Sequence, residues 1–122
     1  MSTIIHDLRL PLARASEITA LKEAATTLSA YHDVLKVVVF GSRVRGDFTG
    51  DSDMDVLVVI SRADLDLENK VIHALGELEF EYDVPFSPVV FTKREYDINK
   101  SMGSPFITNV EREGIVLYAS EQ

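Results

Sequence analysis

The stretch that decides the fold runs from residue 34 to residue 60 and reads VLKVVVFGSRVRGDFTGDSDMDVLVVI. Its two ends, Val34 to Phe40 and Met54 to Ile60, are apolar and rich in valine. Apolar runs of this length are typical of strands that are buried on both faces. Gly41-Ser42 stops the first run and Ser61 stops the second. The stretch therefore predicts two core strands joined by a polar segment.

Helices are predicted on either side of this pair of strands. Before it, apolar residues recur every three or four positions from about Ala13 to His32, as they do on one face of a helix. That stripe consists of Ile18, Leu21, Ala25, Leu28 and Tyr31. After the pair, Asp64 or Asp66 can cap a second helix that continues into the acidic stretch ending at Glu81. One side of this second helix is lined by Leu67, Val71, Leu75 and Leu78.

A third strand is predicted from Val84 to Phe91. Pro85 and Pro88 fall within it, and proline has no N–H group to donate to a neighbouring strand. This strand is therefore expected at an edge of the sheet, or paired on one side only.

The C-terminal part of the chain carries local signals for two short helices and a strand. Thr92-Lys93-Arg94-Glu95 is a capping-box pattern. Ser104-Pro105 supplies a cap followed by proline at the first helical position, and Gly114 supplies a stop. Ile115 to Tyr118 then reads as a short final strand. The alternation of helices and strands predicts an α/β or α+β domain with a small mixed β-sheet packed with helices.

Length and composition exclude several classes of protein. The 122 residues and 13.6 kDa fit one domain spanning residues 1–122. Lys and Arg number 12 against 20 Asp and Glu, and the resulting net charge of -8 has the wrong sign for a nucleic-acid groove. The absence of cysteine excludes disulfides, thiolate nucleophiles and zinc knuckles. No basic leader precedes an apolar run, and no apolar run approaches the ~20 residues that span a bilayer, so we expect a cytoplasmic protein without a membrane partner.

The polar segment between the two core strands opens with a turn suited to phosphate. Gly41-Ser42 permits a tight turn whose backbone N–H groups and serine hydroxyl can bind phosphate oxygens, especially where a helix starts behind them. Arg43 and Arg45 add positive charge nearby. The alternative for each arginine is a surface ion pair with Asp47 or Asp51.

The same segment closes with a pair of carboxylates. Asp53 and Asp55 are two positions apart at the head of the second core strand, so strand geometry points both side chains to one face. Magnesium prefers oxygen ligands and typically takes one or two carboxylates together with substrate phosphates. A phosphate-binding turn facing two carboxylates therefore predicts a site for a metal–nucleotide complex.

Three familiar motifs do not fit these residues. Gly41 to Gly46 has the glycine spacing of a P-loop, but Asp47-Phe48 stand where Lys and Ser/Thr are required. The aspartates lack the glycine and the glutamate that complete an EF-hand loop. The glycines do not have the Rossmann spacing.

Gly41-Ser42, ten intervening residues and then Asp53-Met54-Asp55 resemble the signature of the polymerase-beta-like nucleotidyltransferase superfamily. The Gly-Ser-Arg-x-Arg-Gly and Ser-Asp-x-Asp surroundings resemble its minimal nucleotidyltransferase (MNT) branch, whose members are single domains of about this size. The resemblance covers residues 14–118, and the ending from Pro105 to Tyr118 is similar to the C-terminal helix and strand of that branch. It implies the polymerase-beta-like nucleotidyltransferase fold.

The resemblance also implies a reaction. A nucleoside monophosphate, above all AMP from ATP, would pass from an NTP to an acceptor hydroxyl, and pyrophosphate would leave. Asp53 and Asp55 would be the catalytic residues and would hold two Mg²⁺ ions with the NTP. The residues implied to bind the nucleotide are Gly41, Ser42, Arg43, Arg45 and Ser52.

The sequence departs from the family pattern further along the chain. Members with the full catalytic set place a third carboxylate on the next strand, and in this sequence Ser87 matches that place. Asp83 is the nearest carboxylate and is expected in a loop. A second hypothesis therefore stays open, namely a non-catalytic antitoxin or regulatory module that keeps the fold and binds a partner without nucleotide turnover.

The resemblance finally implies a protein partner. Many MNT proteins are encoded beside small all-helical HEPN proteins as toxin–antitoxin pairs, and the MNT protein acts as antitoxin by binding or adenylylating the toxin. A HEPN-type partner is therefore expected, and the acidic charge balance suits a basic protein. A homodimer is a further expectation, because the edge from Val84 to Phe91 or the helix from Ser104 to Val110 could pair with another chain.

Overall fold

The computed structural model describes residues 3–10, 12–47 and 52–120, so that Asp51, one of the expected ion-pair partners, lies outside the described residues. The strands are β1 (Thr3–Ile4), β2 (Val34–Phe40), β3 (Met54–Ile60), β4 (Phe86–Thr92) and β5 (Ile115–Ala119). The helices are α1 (Ala15–Ser29), α2 (Ser42–Arg45), α3 (Leu65–Tyr82), α4 (Lys93–Ser101) and α5 (Pro105–Glu113).

The strands form a five-stranded sheet in the order β1-β5-β2-β3-β4. β2 is antiparallel to both of its neighbours, β3 and β5, whereas β3 and β4 are parallel. This confirms the expected small mixed sheet. β4 starts two residues later than predicted, which leaves Pro85 outside the strand and Pro88 within it, and it lies at an edge of the sheet, the position that the prolines predicted.

Helices cover both faces of the sheet. Side chains alternate along each strand, and one set of alternate residues, including Val37 and Val56, packs under α1 and α3. The other set, including Val38 and Leu57, packs under α4 and α5. β2 and β3 therefore bury both of their faces, as their mostly apolar sequences predict. The result is an α+β arrangement of three layers.

The predicted helix caps are confirmed. The Asp64 carboxylate accepts a hydrogen bond from the backbone N–H of Leu67 at 3.1 Å, and the Ser104 hydroxyl accepts one from the N–H of Ile107 at 3.2 Å. Thr92 and Glu95 accept hydrogen bonds from each other's backbone N–H groups, which completes a capping box. α1 is shorter than the predicted range from about Ala13 to His32, and of the residues in its apolar stripe Tyr31 lies beyond the last helical residue.

Three chain segments meet at one end of the sheet because of this topology. β2 ends where β3 begins, since the two are antiparallel, and β4 begins there too, since it is parallel to β3. The Gly41-Ser42 turn, which directly follows β2, therefore lies at the same end of the sheet as the first residues of β3 and β4. None of the helices in the described ranges is both long enough and apolar enough to cross a membrane.

Candidate active site

Phe40, Asp55 and Ser87 form one row across the three strands at this end of the sheet. Asp55 pairs with Phe40 of β2 on one side and with Ser87 of β4 on the other. Residues in register on neighbouring strands point to the same face of a sheet. By alternation from Leu57, that face is the one covered by α4 and α5.

The turn after β2 lies directly against Asp55. Gly41 has φ of +85°, a conformation that L side chains rarely adopt. A Cβ atom at this position would overlap the Oδ2 atom of Asp55. Glycine is therefore required both for the turn and for the approach of the carboxylate, and α2 begins at the next residue, Ser42. The structure thus brings together the turn and the carboxylate that the sequence spacing predicted to face each other.

The two carboxylates interact electrostatically. Asp53 is exposed immediately before β3, and Asp55 is half-buried within it. Burial raises the pKa of Asp55, and the negative charge of Asp53 raises it further, whereas the positive charge of Arg45 lowers it. A bound cation would relieve the repulsion between the two carboxylates.

This donor set fits a metal that arrives with its substrate. Within residues 3–10, 12–47 and 52–120, no group of three or more His, Cys, Asp or Glu side chains is placed to hold a metal ion. Magnesium, however, keeps several waters and commonly binds through one or two carboxylates plus substrate phosphates. Asp53 and Asp55 satisfy that requirement. Asp83 adopts the left-handed conformation at the C-terminal cap of α3, so it ends a helix rather than completing the site.

Arg43 requires a correction. It was expected at the phosphates, or at the surface beside Asp47 or Asp51. Its side chain is instead only 4% exposed and forms an ion pair with Glu17 of α1, which is 2% exposed. It also donates a hydrogen bond of 3.1 Å to the backbone carbonyl of Ser52. The reason is the geometry of α2, which turns this arginine toward α1 and the interior.

Glu17 is the functional candidate that sequence reasoning missed. Desolvation on burial would raise its pKa, but hydrogen bonds from the backbone N–H of Arg14 and from Arg43, together with their positive charges, outweigh that effect and lower the pKa below its ordinary value. The N–H of Arg14 donates to Glu17 Oε1 at 2.7 Å, as in half of a capping box. A glutamate three residues after the N-cap of a helix is a detectable signal, but the second partner of Glu17, Arg43, is 26 residues away along the chain.

Arg45 remains at the rim of the site. Its exposed guanidinium pairs with Asp47 at 3.1 Å, which confirms the surface-pair alternative, and with Glu113 of α5 at 2.8 Å. It is nonetheless close enough to Asp55 to influence the pKa of that carboxyl. The predicted role of Arg45 in binding phosphate is compatible with this position and stays a prediction.

An aromatic pair borders the row of Asp55. Phe106, in the first turn of α5, packs edge-on against Phe40 with ring centroids 5.4 Å apart. Phe40 is the direct cross-strand neighbour of Asp55. An apolar wall beside a carboxylate lowers the local dielectric and strengthens electrostatic interactions there.

Comparisons with known proteins place the chain in a family. The family "Polymerase beta, Nucleotidyltransferase" matches residues 22–122. Two proteins of Methanocaldococcus jannaschii, each described as a "putative protein adenylyltransferase", are similar to this chain. The first is 34% identical over 105 residues, covering 84% of this chain and 99% of that protein. The second is 30% identical over 95 residues, covering 77% of this chain and 87% of that protein.

A solved structure is also similar. The crystal structure of a "putative nucleotidyltransferase" from Sulfolobus solfataricus has 21% identity, covers 83% of this chain and 81% of that chain, and gives a TM-score of 0.48. The family match spans the Gly41-Ser42 turn, both aspartates and all three strands of the Asp55 row. The chain belongs to the polymerase beta nucleotidyltransferase family and fits a minimal nucleotidyltransferase domain.

Proposed function

We propose that the protein is a Mg²⁺-dependent nucleotidyltransferase that transfers AMP from ATP to a hydroxyl group of a partner protein. The observation that carries the proposal is the contact between the Gly41 turn and the Asp55 carboxylate. It joins a feature that suits phosphates to a feature that suits a divalent cation, within one short segment of a nucleotidyltransferase domain.

Names of relatives support a protein as acceptor. Both Methanocaldococcus jannaschii relatives are described as a "putative protein adenylyltransferase". The net charge of -8 disfavours a polynucleotide acceptor and favours a basic protein surface. We therefore propose a HEPN-type helical protein as the partner, with this chain as its antitoxin.

The residues of the site would have different roles in such a transfer. The Gly41 turn and the Ser42 hydroxyl would bind the terminal phosphates, and Arg45 would add positive charge at the rim. Asp53 and Asp55 would hold magnesium, whose chemistry when bound is to neutralise the triphosphate and activate the acceptor oxygen. That oxygen bonds to the α-phosphorus while the bond to the β-phosphate oxygen breaks. Pyrophosphate leaves, and the hydroxyl proton passes to water.

A transfer assay tests this proposal. The purified protein is incubated with a HEPN-type protein, Mg²⁺ and ATP labelled at the α-phosphate, and the denatured proteins are examined for covalent label. We expect label on the partner with the native enzyme and none with Asp55→Asn. Asp97→Asn, which changes an exposed carboxylate on α4 paired with Lys93, is the matched control and should keep the activity. Equal labelling with Asp55→Asn would refute the proposed role of that residue.

One observation favours a second candidate function. The place beside Asp55 on β4 is held by Ser87, which has no carboxylate to complete a metal site. We propose as the alternative a non-catalytic module that neutralises its partner by binding alone. This alternative predicts tight binding that needs neither ATP nor Asp53. A partner that is neutralised only in the presence of ATP and an intact Asp53 would exclude it.

A further inference from the structure

The buried guanidinium of Arg43 connects three separate parts of the chain. The residue belongs to α2, one position after Ser42. Its side chain forms an ion pair with Glu17 on α1 and donates to the carbonyl of Ser52, the residue directly before Asp53. The phosphate turn and the first carboxylate of the site are thus linked through one side chain.

The sheet by itself does not hold Asp53. The pairing of β3 with β4 begins at Met54, whose N–H donates to the carbonyl of Pro85 at 2.8 Å. Asp55 lies within the ladder and is fixed by its neighbours on both sides. Asp53 precedes the ladder, so its position depends on contacts made by the segment that leads into β3.

Stability alone does not explain why the chain buries the ion pair between Arg43 and Glu17. Desolvation of two charges can cost as much as their attraction returns, and apolar residues of similar volume often serve a core equally well. Arginine differs from other residues in having a rigid planar fork of donors that can serve two acceptors at fixed angles. That property suits an arginine side chain that is oriented by a carboxylate and at the same time holds a backbone carbonyl in a set position.

We propose that Arg43, oriented by Glu17, is a positioning residue that holds the Ser52 carbonyl and thereby keeps the Asp53 carboxylate beside Asp55. The consequence for metal binding rests on the proposed function, whereas the consequence for the geometry of Asp53 does not. Residues that orient metal ligands typically change metal affinity by about 10- to 100-fold when they are replaced.

The test separates positioning from stability. In the double variant Glu17→Leu/Arg43→Met, apolar side chains replace both buried charges, so the fold should survive while the donor to Ser52 is lost. Arg43→Lys with Glu17 intact is the second variant, because lysine keeps the charge but has no planar fork. Two properties are measured in each: amide hydrogen exchange at Ser52 to Met54 without ligand, and the Mg²⁺ concentration that gives half of the ATP-induced rise in melting temperature.

We expect faster amide exchange at Asp53 in the double variant and a requirement for at least about tenfold more Mg²⁺, with exchange in β2 unchanged. Arg43→Lys should change both measurements in the same direction, by less. A double variant that is folded and has native exchange at Asp53 would overturn the proposal, and so would a native Mg²⁺ requirement. If the native protein shows no Mg²⁺-dependent response to ATP while exchange at Asp53 still rises in the double variant, the proposed function fails and the positioning role stands.

Discussion

Ser87 is the direct parallel neighbour of Asp55, one strand away at the same level of the sheet. Their side chains share a face, because registered residues of adjacent strands do so. A carboxylate at position 87 would therefore lie within reach of any cation held by Asp53 and Asp55. The serine hydroxyl is a weaker ligand for magnesium than a carboxylate, and it cannot act as a base at neutral pH.

Ser87→Asp should strengthen the metal site. In the absence of metal, a third negative charge would destabilise the protein, because it adds repulsion to a pair in which Asp53 already raises the pKa of Asp55. With Mg²⁺ and ATP, the same variant should be more stable than the native protein. Melting temperatures of both proteins, measured without metal and with Mg²⁺ and ATP, test this reversal in the order of stability. Ser87→Ala is the matched control and should show no gain, and a Ser87→Asp variant that is destabilised equally in both conditions would contradict the proposed geometry.

Gly41→Ala should disable the site. The added methyl group would meet the Asp55 carboxylate, and the φ of +85° would strain any L side chain. We expect a loss of at least about 1 kcal/mol of stability together with loss of the nucleotide-induced rise in melting temperature. Gly76→Ala is the matched control: this glycine lies within α3, a Cβ there meets no atom within 4 Å, and alanine should stabilise the helix by about 0.5–1 kcal/mol. Equal effects at the two positions would disprove the role given to the turn.

Arg45→Gln should weaken nucleotide binding more than stability. Arg45 is exposed, and surface ion pairs such as those with Asp47 and Glu113 contribute little to folding. Its charge acts on Asp55 nevertheless, so its removal should raise KM for ATP while kcat changes less. Glu113→Gln keeps the positive charge of Arg45 but removes its ion pair with α5. This variant should change KM less than Arg45→Gln does. An unchanged KM for ATP in Arg45→Gln would contradict a role of Arg45 in nucleotide binding.

Protonation of Glu17 should contribute to the unfolding of the protein in acid. Its pKa in the folded state lies below the ordinary value of 4.5, so the unfolded chain binds this proton more readily. The stabilisation is therefore complete above about pH 4.5 and is lost as the pH falls through the folded-state pKa. This one group can contribute at most about 1.4 kcal/mol per pH unit. The free energy of unfolding from pH 6 to pH 3 should fall more steeply in the native protein than in Glu17→Leu/Arg43→Met, and parallel curves would contradict the assignment.

Local chemistry explains why much of the fold could be predicted. A cap such as Asp64, or a proline at the first position of a helix such as Pro105, acts within one turn and is visible in a few letters. The mostly apolar sequences of β2 and β3 likewise indicate burial on both faces. β1 was not predicted, because its two residues become a strand only by pairing with Tyr118 and Ala119 at the other end of the chain.

The candidate site could be predicted only in part, for the same physical reason. The spacing of Gly41 and Asp55 is visible in the sequence because Gly41 directly follows β2, Asp55 is the second residue of β3, and these two strands pair with each other. The orientation of Arg43 is not encoded by any periodicity, since α2 has only four residues. Its partner Glu17 is on another helix, and tertiary packing alone brings the two charges together.

The central claim is a working metal–nucleotide site formed by the Gly41 turn, Asp53 and Asp55. Its most direct test is the melting temperature of the purified protein with ATP, GTP, CTP or UTP, with and without Mg²⁺, beside the double variant Asp53→Asn/Asp55→Asn. A ligand that binds only the native state must raise the melting temperature. We expect a Mg²⁺-dependent rise, largest with ATP, that is absent from the double variant. No rise with any nucleotide, or an equal rise in the double variant, would contradict it.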